Sequence, residues 1–143
     1  MRIRCYVAAL LVTWAGTVVM AQKVTTPEEL DKTMKRVQSA MMAANKALKG
    51  QNFTEVNTQL GVIKQAMDDS REFWVLHKKE DAIKANTETV GKIEETQKLV
   101  QANNAAESMA ALKQLGGACR TCHETYRVRD ADNNWVLKPG SID

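Results

Sequence analysis

Large flat side chains are scarce in this sequence: three Trp, two Tyr and two Phe make up 5% of 143 residues, and there are only two Pro. β-Branched residues are too dispersed for a sandwich or barrel. No uninterrupted apolar stretch reaches the roughly 20 residues of a membrane-spanning helix. Lys and Arg number 20 against 17 Asp and Glu, and they are scattered, which excludes a nucleic-acid footprint. No nucleophile stands with a base and no carboxylates pair in a catalytic pattern, so the chain does not read as an enzyme. A chain of 143 residues is expected to form one domain. Its 44% hydrophobic residues fall at helical spacing, which points to an all-α fold.

The first 21 residues stand apart from that domain. Arg2 and Arg4 form a short basic start, Cys5 to Met20 is apolar or small, and Val19-Met20-Ala21 offers the small or branched residues of a cleavage site before Gln22. An uncleaved membrane anchor is the competing reading, and the short apolar run with its small-residue exit counts against it. Cys5 lies at the start of the apolar run, the wrong place for a lipoprotein cysteine. Loss of residues 1–21 removes two Arg and no acids, so the formal charge falls from +3 to +1. Two cysteines remain, Cys119 and Cys122, and the compartment is expected to be a bacterial periplasm.

Residues 22–143 divide into four helical segments. Thr26-Pro27-Glu28-Glu29 supplies an N-cap, a Pro at the first helical position and a capping box. Leu30, Met34, Val37, Met41, Ala44 and Leu48 then recur at steps of three and four, one apolar seam that Lys49-Gly50 closes. Thr54 is placed to cap a second helix bearing Val56, Leu60, Ile63 and Met67, with a break at Asp68-Asp69-Ser70. A third segment from about Arg71 to Gln101 keeps Phe73, Leu76, Ile83, Val90, Ile93 and Val100 near one face. Asn103-Asn104 precedes the last helix, about Ala105 to Arg129, with Met109, Leu112, Leu115, Cys119, Cys122 and Tyr126 in step. Residues 130–143 read as an irregular polar tail. Four amphipathic helices with short connections assemble most simply as an antiparallel up-down-up-down bundle.

Cys119-Arg120-Thr121-Cys122-His123 is the pattern of c-type haem attachment. Two thiols three residues apart on a helical turn can both form thioethers to porphyrin vinyl groups, and His123 then presents its imidazole to the iron. A structural zinc site needs four ligands, and the mature chain offers two Cys and two His, the second being His77. A thioredoxin-like pair sits where a strand enters a helix, and no strand is visible here. A plain disulfide has no need of His123. The small residues Gly116-Gly117-Ala118 suit a close approach of the backbone to a flat macrocycle.

With Gly-Gly-Ala-Cys-Arg-Thr-Cys-His-Glu-Thr-Tyr-Arg in its last helix, the chain resembles the cytochrome c′ family of class II c-type cytochromes, strongly in that helix and weakly elsewhere. The resemblance implies one covalent haem c, with Cys119 and Cys122 as anchors, His123 as proximal iron ligand and Arg127 beside the proximal face. It also implies a distal residue about four and a half turns before a Lys-Gly pair that closes the first helix, and that position is Met34. In low-spin relatives a Met there ligates the iron and the protein carries electrons. In high-spin relatives an apolar residue leaves the sixth position open to nitric oxide or carbon monoxide.

Read from the residues alone, Met34 is either a ligand or core filler on an apolar seam, as Met stripes commonly are. Met41 is the reserve ligand on the same seam, and His77, set among Lys78, Lys79, Glu80 and Asp81, is expected at the surface. Two departures from the family stand out: no Pro- and Gly-rich link joins the second and third helices, and a tail containing Trp135 follows the last. Trp74 and Trp135 can pack near a porphyrin or serve as ordinary anchors. The combined expectation is a periplasmic one-electron carrier working with redox partner proteins, with a five-coordinate gas binder as alternative. Relatives often pair through their first two helices, which implies a homodimer.

Overall fold

A computed structural model describes residues 23–142. Residues 1–21, read as an export signal, lie outside the described residues. Four helices run in sequence, α1 (Pro27–Lys49), α2 (Phe53–Leu76), α3 (Glu80–Gln101) and α4 (Ala105–Tyr126), followed by two short strands, β1 (Arg127–Arg129) and β2 (Trp135–Leu137). Each helix packs along the one before it, while α1 and α4 touch only sparsely. Three-residue connections between long packed neighbours give a four-helix bundle with antiparallel neighbours. Among the described residues no helix is long and apolar enough to cross a membrane.

The capping chemistry of α1 is as the sequence predicts: the Thr26 hydroxyl accepts from the Glu29 backbone N–H, the Glu29 carboxylate accepts from the Thr26 N–H, and Pro27 opens the helix. Asn52, rather than Thr54, caps α2, because its side-chain oxygen accepts from the Glu55 N–H. Asn104 does the same for α4 through the Glu107 N–H. Gly50 ends α1 with φ −86°, and the left-handed turn falls on Gln51 at φ 54°.

Two boundaries move. α2 runs straight through Asp68-Asp69-Ser70 and ends at Leu76, so the break lies at residues 77–79 and α3 begins at Glu80. The polar triplet is tolerated because its two buried members are satisfied. Asp69 accepts from Arg36 at 2.6 Å and from Gln65 at 2.8 Å, and the Ser70 hydroxyl donates to the Met67 carbonyl at 2.8 Å. At the other end α4 stops at Tyr126, and the tail is not wholly irregular. β1 and β2 form an antiparallel ladder that pairs Arg127 with Leu137, Val128 with Val136 and Arg129 with Trp135. Asp130 closes the loop by accepting from the Asn134 N–H, with Asn133 in the left-handed region at φ 64°.

The core falls into two clusters. One joins Val37, Ala40, Ala44 and Leu48 of α1 to Val56, Leu60, Ile63 and Ala66 of α2, with Ile93, Val100, Leu112 and Leu115 from the other two helices. The second gathers Val24, Leu30, Phe73, Trp74, Ala82 and Tyr126. Trp74 packs at a tilt on Tyr126, with ring centroids 4.8 Å apart, and meets Phe73 edge-on at 5.1 Å. Leu76 and Met109, both expected on apolar faces, are instead exposed at 58% and 54%.

Candidate functional site

Residues of both clusters line an open cleft of about 1100 Å³. It lies where α1 and α4 diverge, with walls from all four helices and a rim from the β1–β2 hairpin. Leu30, Met34, Val37 and Met41 line it from α1, Met67 and Trp74 from α2, Ala82, Ala85, Asn86 and Thr89 from α3, and Gly116, Cys119, Cys122, His123 and Tyr126 from α4. The volume lies just above the roughly 300–1,000 Å³ usual for ligand pockets, enough for a large flat group. The lining mixes these apolar side chains with polar and charged ones, among them Asp31, Lys32 and Lys35 of α1 and Arg127, Arg129 and Asp130 of the hairpin.

The sequence-predicted residues therefore converge. Cys119, Cys122 and His123 share one wall of the cleft, and each is half-buried. Burial raises the Cys119 thiol above its ordinary range and pushes Cys122 up to about 11, with the nearby Asp81 carboxylate adding to the effect. Both therefore stay protonated at neutral pH, unlike the low-pKa thiolates of redox-active Cys pairs. Burial also lowers the His123 imidazole, and the charge of Arg127 lowers it further. The ring is thus neutral near pH 7, the form that binds a metal. Arg127 lines the cleft beside it, half-buried, at the junction of α4 and β1.

Met34 and Met41 both line the cleft from α1, Met34 packing against the Leu30–Tyr126 cluster and Met41 against the larger one. Geometry alone admits either thioether. His77 is not among the lining residues, and it is not the surface residue its charged neighbours suggest. It is half-buried, with Nδ1 at 2.9 Å from the Ile142 carbonyl and its ring 4.4 Å from that of Phe73, so it ties the chain end to α2. Of Gly116-Gly117-Ala118 only Gly116 faces the cleft, and a Cβ there would meet open space. Among the described residues no three His, Cys, Asp or Glu side chains gather as a metal-ion site.

Sequence reasoning missed the hairpin wall and the α3 wall. Trp135, Val136 and Leu137 border the cleft, and Trp135 is held with Arg127 at 5.1 Å and Arg129 at 4.1 Å from its ring centroid. A signal existed: Arg-Val-Arg and Trp-Val-Leu flank a turn-prone Asp-Ala-Asp-Asn-Asn. The hairpin is fixed to α4 by the Lys138 N–H donating to the Tyr126 carbonyl at 2.9 Å and by Lys138 Nζ donating to the Glu124 carbonyl at 2.6 Å.

Tyr126 also donates its hydroxyl to the Asp81 carboxylate at 2.5 Å, joining the end of α4 to the start of α3. That bond holds the Asp81 carboxyl below its ordinary range, while burial raises the Tyr126 phenol. A depressed carboxyl pKa stabilises the fold above the unfolded value, about 3.9, and the contribution is lost as pH falls through the folded one. Tyr126→Phe is therefore expected to cost about 1 kcal/mol at pH 7, and the difference from wild type should shrink as pH falls below the unfolded value of about 3.9 in denaturant unfolding.

No family model, curated protein or solved structure matches the chain.

Proposed function

We propose that the chain is an exported monohaem c-type cytochrome of cytochrome c′ type, a periplasmic one-electron carrier. The observation that carries the reading is that Cys119, Cys122 and His123 of the Cys-Arg-Thr-Cys-His pattern lie together on the wall of one large cleft lined from both core clusters. Cys119 and Cys122 would hold a haem through two thioethers, each S–H adding across a vinyl double bond with sulfur on one carbon and hydrogen on the other, so that nothing is oxidised. His123 would offer the iron an imidazole and Met34 a thioether. Bound haem supplies a one-electron couple, and His/Met ligation raises its potential.

The remaining residues shape the site. Trp74, Tyr126 and Leu30 exclude water from one end of the cleft and Val37 with Met41 from the other. Burial, with the charge of Arg127 adding to it, favours the neutral His123 imidazole, and Arg127 would place positive charge beside the proximal face. Near-neutral net charge after export predicts weak electrostatic steering towards redox partners.

Gly116 offers a local test of fit. Gly116→Ala gains about 1 kcal/mol of helix propensity in the haem-free chain, since its methyl meets no protein atom. In the exported protein the same methyl narrows the cleft, and the ratio of haem to protein absorbance is expected to fall. The reading as a whole is tested by the optical spectrum of the exported protein. A low-spin ferrous spectrum with a ferric Met-to-iron charge-transfer band is expected. A high-spin spectrum that shifts on adding carbon monoxide would replace the electron carrier with a five-coordinate gas binder.

A further inference from the structure

The hairpin brings two arginines to the rim of the cleft. Successive strand residues point to opposite faces, so the pairing of Arg127 with Leu137 and of Arg129 with Trp135 puts these side chains on one face. Leu137 packs against the Trp74–Tyr126 cluster, which turns that face inward, and all four residues line the cleft. The guanidinium carbons of Arg127 and Arg129 lie 5.1 and 4.1 Å from the Trp135 ring centroid, so one indole holds both cations together. The Arg127 charge acts on the His123 imidazole and the Cys122 thiol of α4, and the Asp31 carboxylate of α1 acts on it in turn. Its guanidinium is therefore within electrostatic reach of both walls.

These cations lack an anion. Arg127 is half-buried, and burial disfavours its charged form. Among the described residues neither arginine forms an ion pair, and the Arg127 side chain makes no hydrogen bond. The nearby acids are engaged elsewhere: Asp31 pairs with Lys35 at 2.6 Å, and Asp130 accepts from the Asn134 N–H at 2.8 Å. Arg129 donates to the Asn133 carbonyl and keeps its other donors. Planar forks with open N–H groups suit carboxylates, which they bind through two parallel hydrogen bonds. Lys32 and Lys35 line the rim from α1, but both are exposed.

We infer that Arg127 and Arg129 form a carboxylate-binding edge of the cleft, on which the hairpin takes the two propionates of a haem anchored at Cys119 and Cys122. The inference rests on the haem-carrier reading above. The propionates are the charged edge of haem, on the side away from its vinyl groups, and a carboxylate leaves water only against a cation. Thioethers on α4 and cations on the hairpin thus give the cleft two unlike edges, which fix the way round that an amphiphilic ring enters.

The test uses the exported, haem-loaded protein and reads two signals, the propionate-bending bands in resonance Raman spectra and the reduction potential. Arg127→Gln and Arg129→Gln are each expected to shift a bending band, and the double replacement to shift them further. Loss of positive charge favours the ferric state, so the potential of the double variant should fall, on the order of tenfold in the ferric-to-ferrous equilibrium, or about 59 mV for one electron. Arg127→Lys keeps the charge without the fork, and it is expected to restore the potential but not the band. Lys35→Gln removes a rim cation already paired with Asp31 and is expected to move neither signal. If the double variant does not accumulate with haem, the exposed Arg129 position still decides through its single replacement. Bands that stay in place in the Arg variants, or that shift equally in Lys35→Gln, would overturn the assignment. So would a fall in potential with unmoved bands, the mark of a distant charge, or a defect seen only in electron exchange with an acidic protein, the mark of a docking patch. A wild-type chain that carries no haem overturns the haem-carrier reading and this inference together, whereas haem-loaded variants with unmoved bands overturn the inference alone.

Discussion

Met34→Ala is expected to convert a low-spin protein into a high-spin one that binds carbon monoxide. The thioether approaches the cleft from α1, and alanine in its place leaves a gap against Leu30 and Trp74 with no other strong ligand in the chain at that register. Met41, one heptad further along the same seam, lines the cleft as well, so it is the residue to which an unchanged spectrum would transfer the role. His77 is a poor substitute, since it lies outside the cleft with its Nδ1 engaged by the Ile142 carbonyl. Loss of a partly buried methionine side chain also costs stability, up to about 2–5 kcal/mol in a packed site. The spectral change must therefore be read on protein shown to be folded by its helical signal. The charge-transfer band should vanish, the ferrous spectrum should broaden, and carbon monoxide should shift it; the double replacement of Met34 and Met41 should add nothing further.

Replacing Cys119 and Cys122 together with alanine is expected to have the larger effect on the fold. The cleft is lined from both the Val37–Leu115 cluster and the Val24–Tyr126 cluster, so a group that fills it would touch both. A chain without that group exposes apolar walls to water and loses the dispersion contacts a filled interior would supply. The variant is expected to unfold several kcal/mol more easily than the haem-loaded protein, in a broader transition, and to bind an apolar dye such as ANS. Equal stability and a sharp transition would show that the two clusters suffice without a bridge.

Helix number and apolar seams were legible in the sequence because each is local. Thr26-Pro27-Glu28-Glu29 carries its own capping chemistry, and the seam from Leu30 to Leu48 is a three-four repeat. That Cys119, Cys122 and His123 fall on one side of α4, where they line the same cleft, was legible for the same reason: their spacing lies within about one helical turn. The α2–α3 boundary was misplaced because Asp68-Asp69-Ser70 is a helix breaker only when its polar groups go unpaired. Here Arg36, from another helix, and Gln65 satisfy Asp69. Long-range partners of that kind leave no trace in local propensity. The hairpin was missed because three-residue strands are too short for periodicity to register, and its register depends on Lys138 reaching back to Tyr126 and Glu124. Asn86 was invisible for a further reason: a polar residue on a mid-helix position reads as solvent-facing until the neighbouring helix shows that it is buried.

The scarcity of aromatics also acquires a physical meaning. Residues 22–143 contain five, Phe53, Phe73, Trp74, Tyr126 and Trp135, and three of them are gathered in one cluster at the end of the cleft. On the proposed reading, a large planar group would fill the cleft lined from both clusters in place of further Phe, Tyr or Trp.

Covalent attachment at Cys119 and Cys122 is the central claim, and acid–acetone extraction followed by intact-mass measurement tests it most directly. Protein exported from a host that matures c-type cytochromes is expected to keep its colour through extraction, with a mass increased by one haem and no free thiol. Colour released into the solvent, or a colourless chain bearing two thiols or a Cys119–Cys122 disulfide, would contradict it.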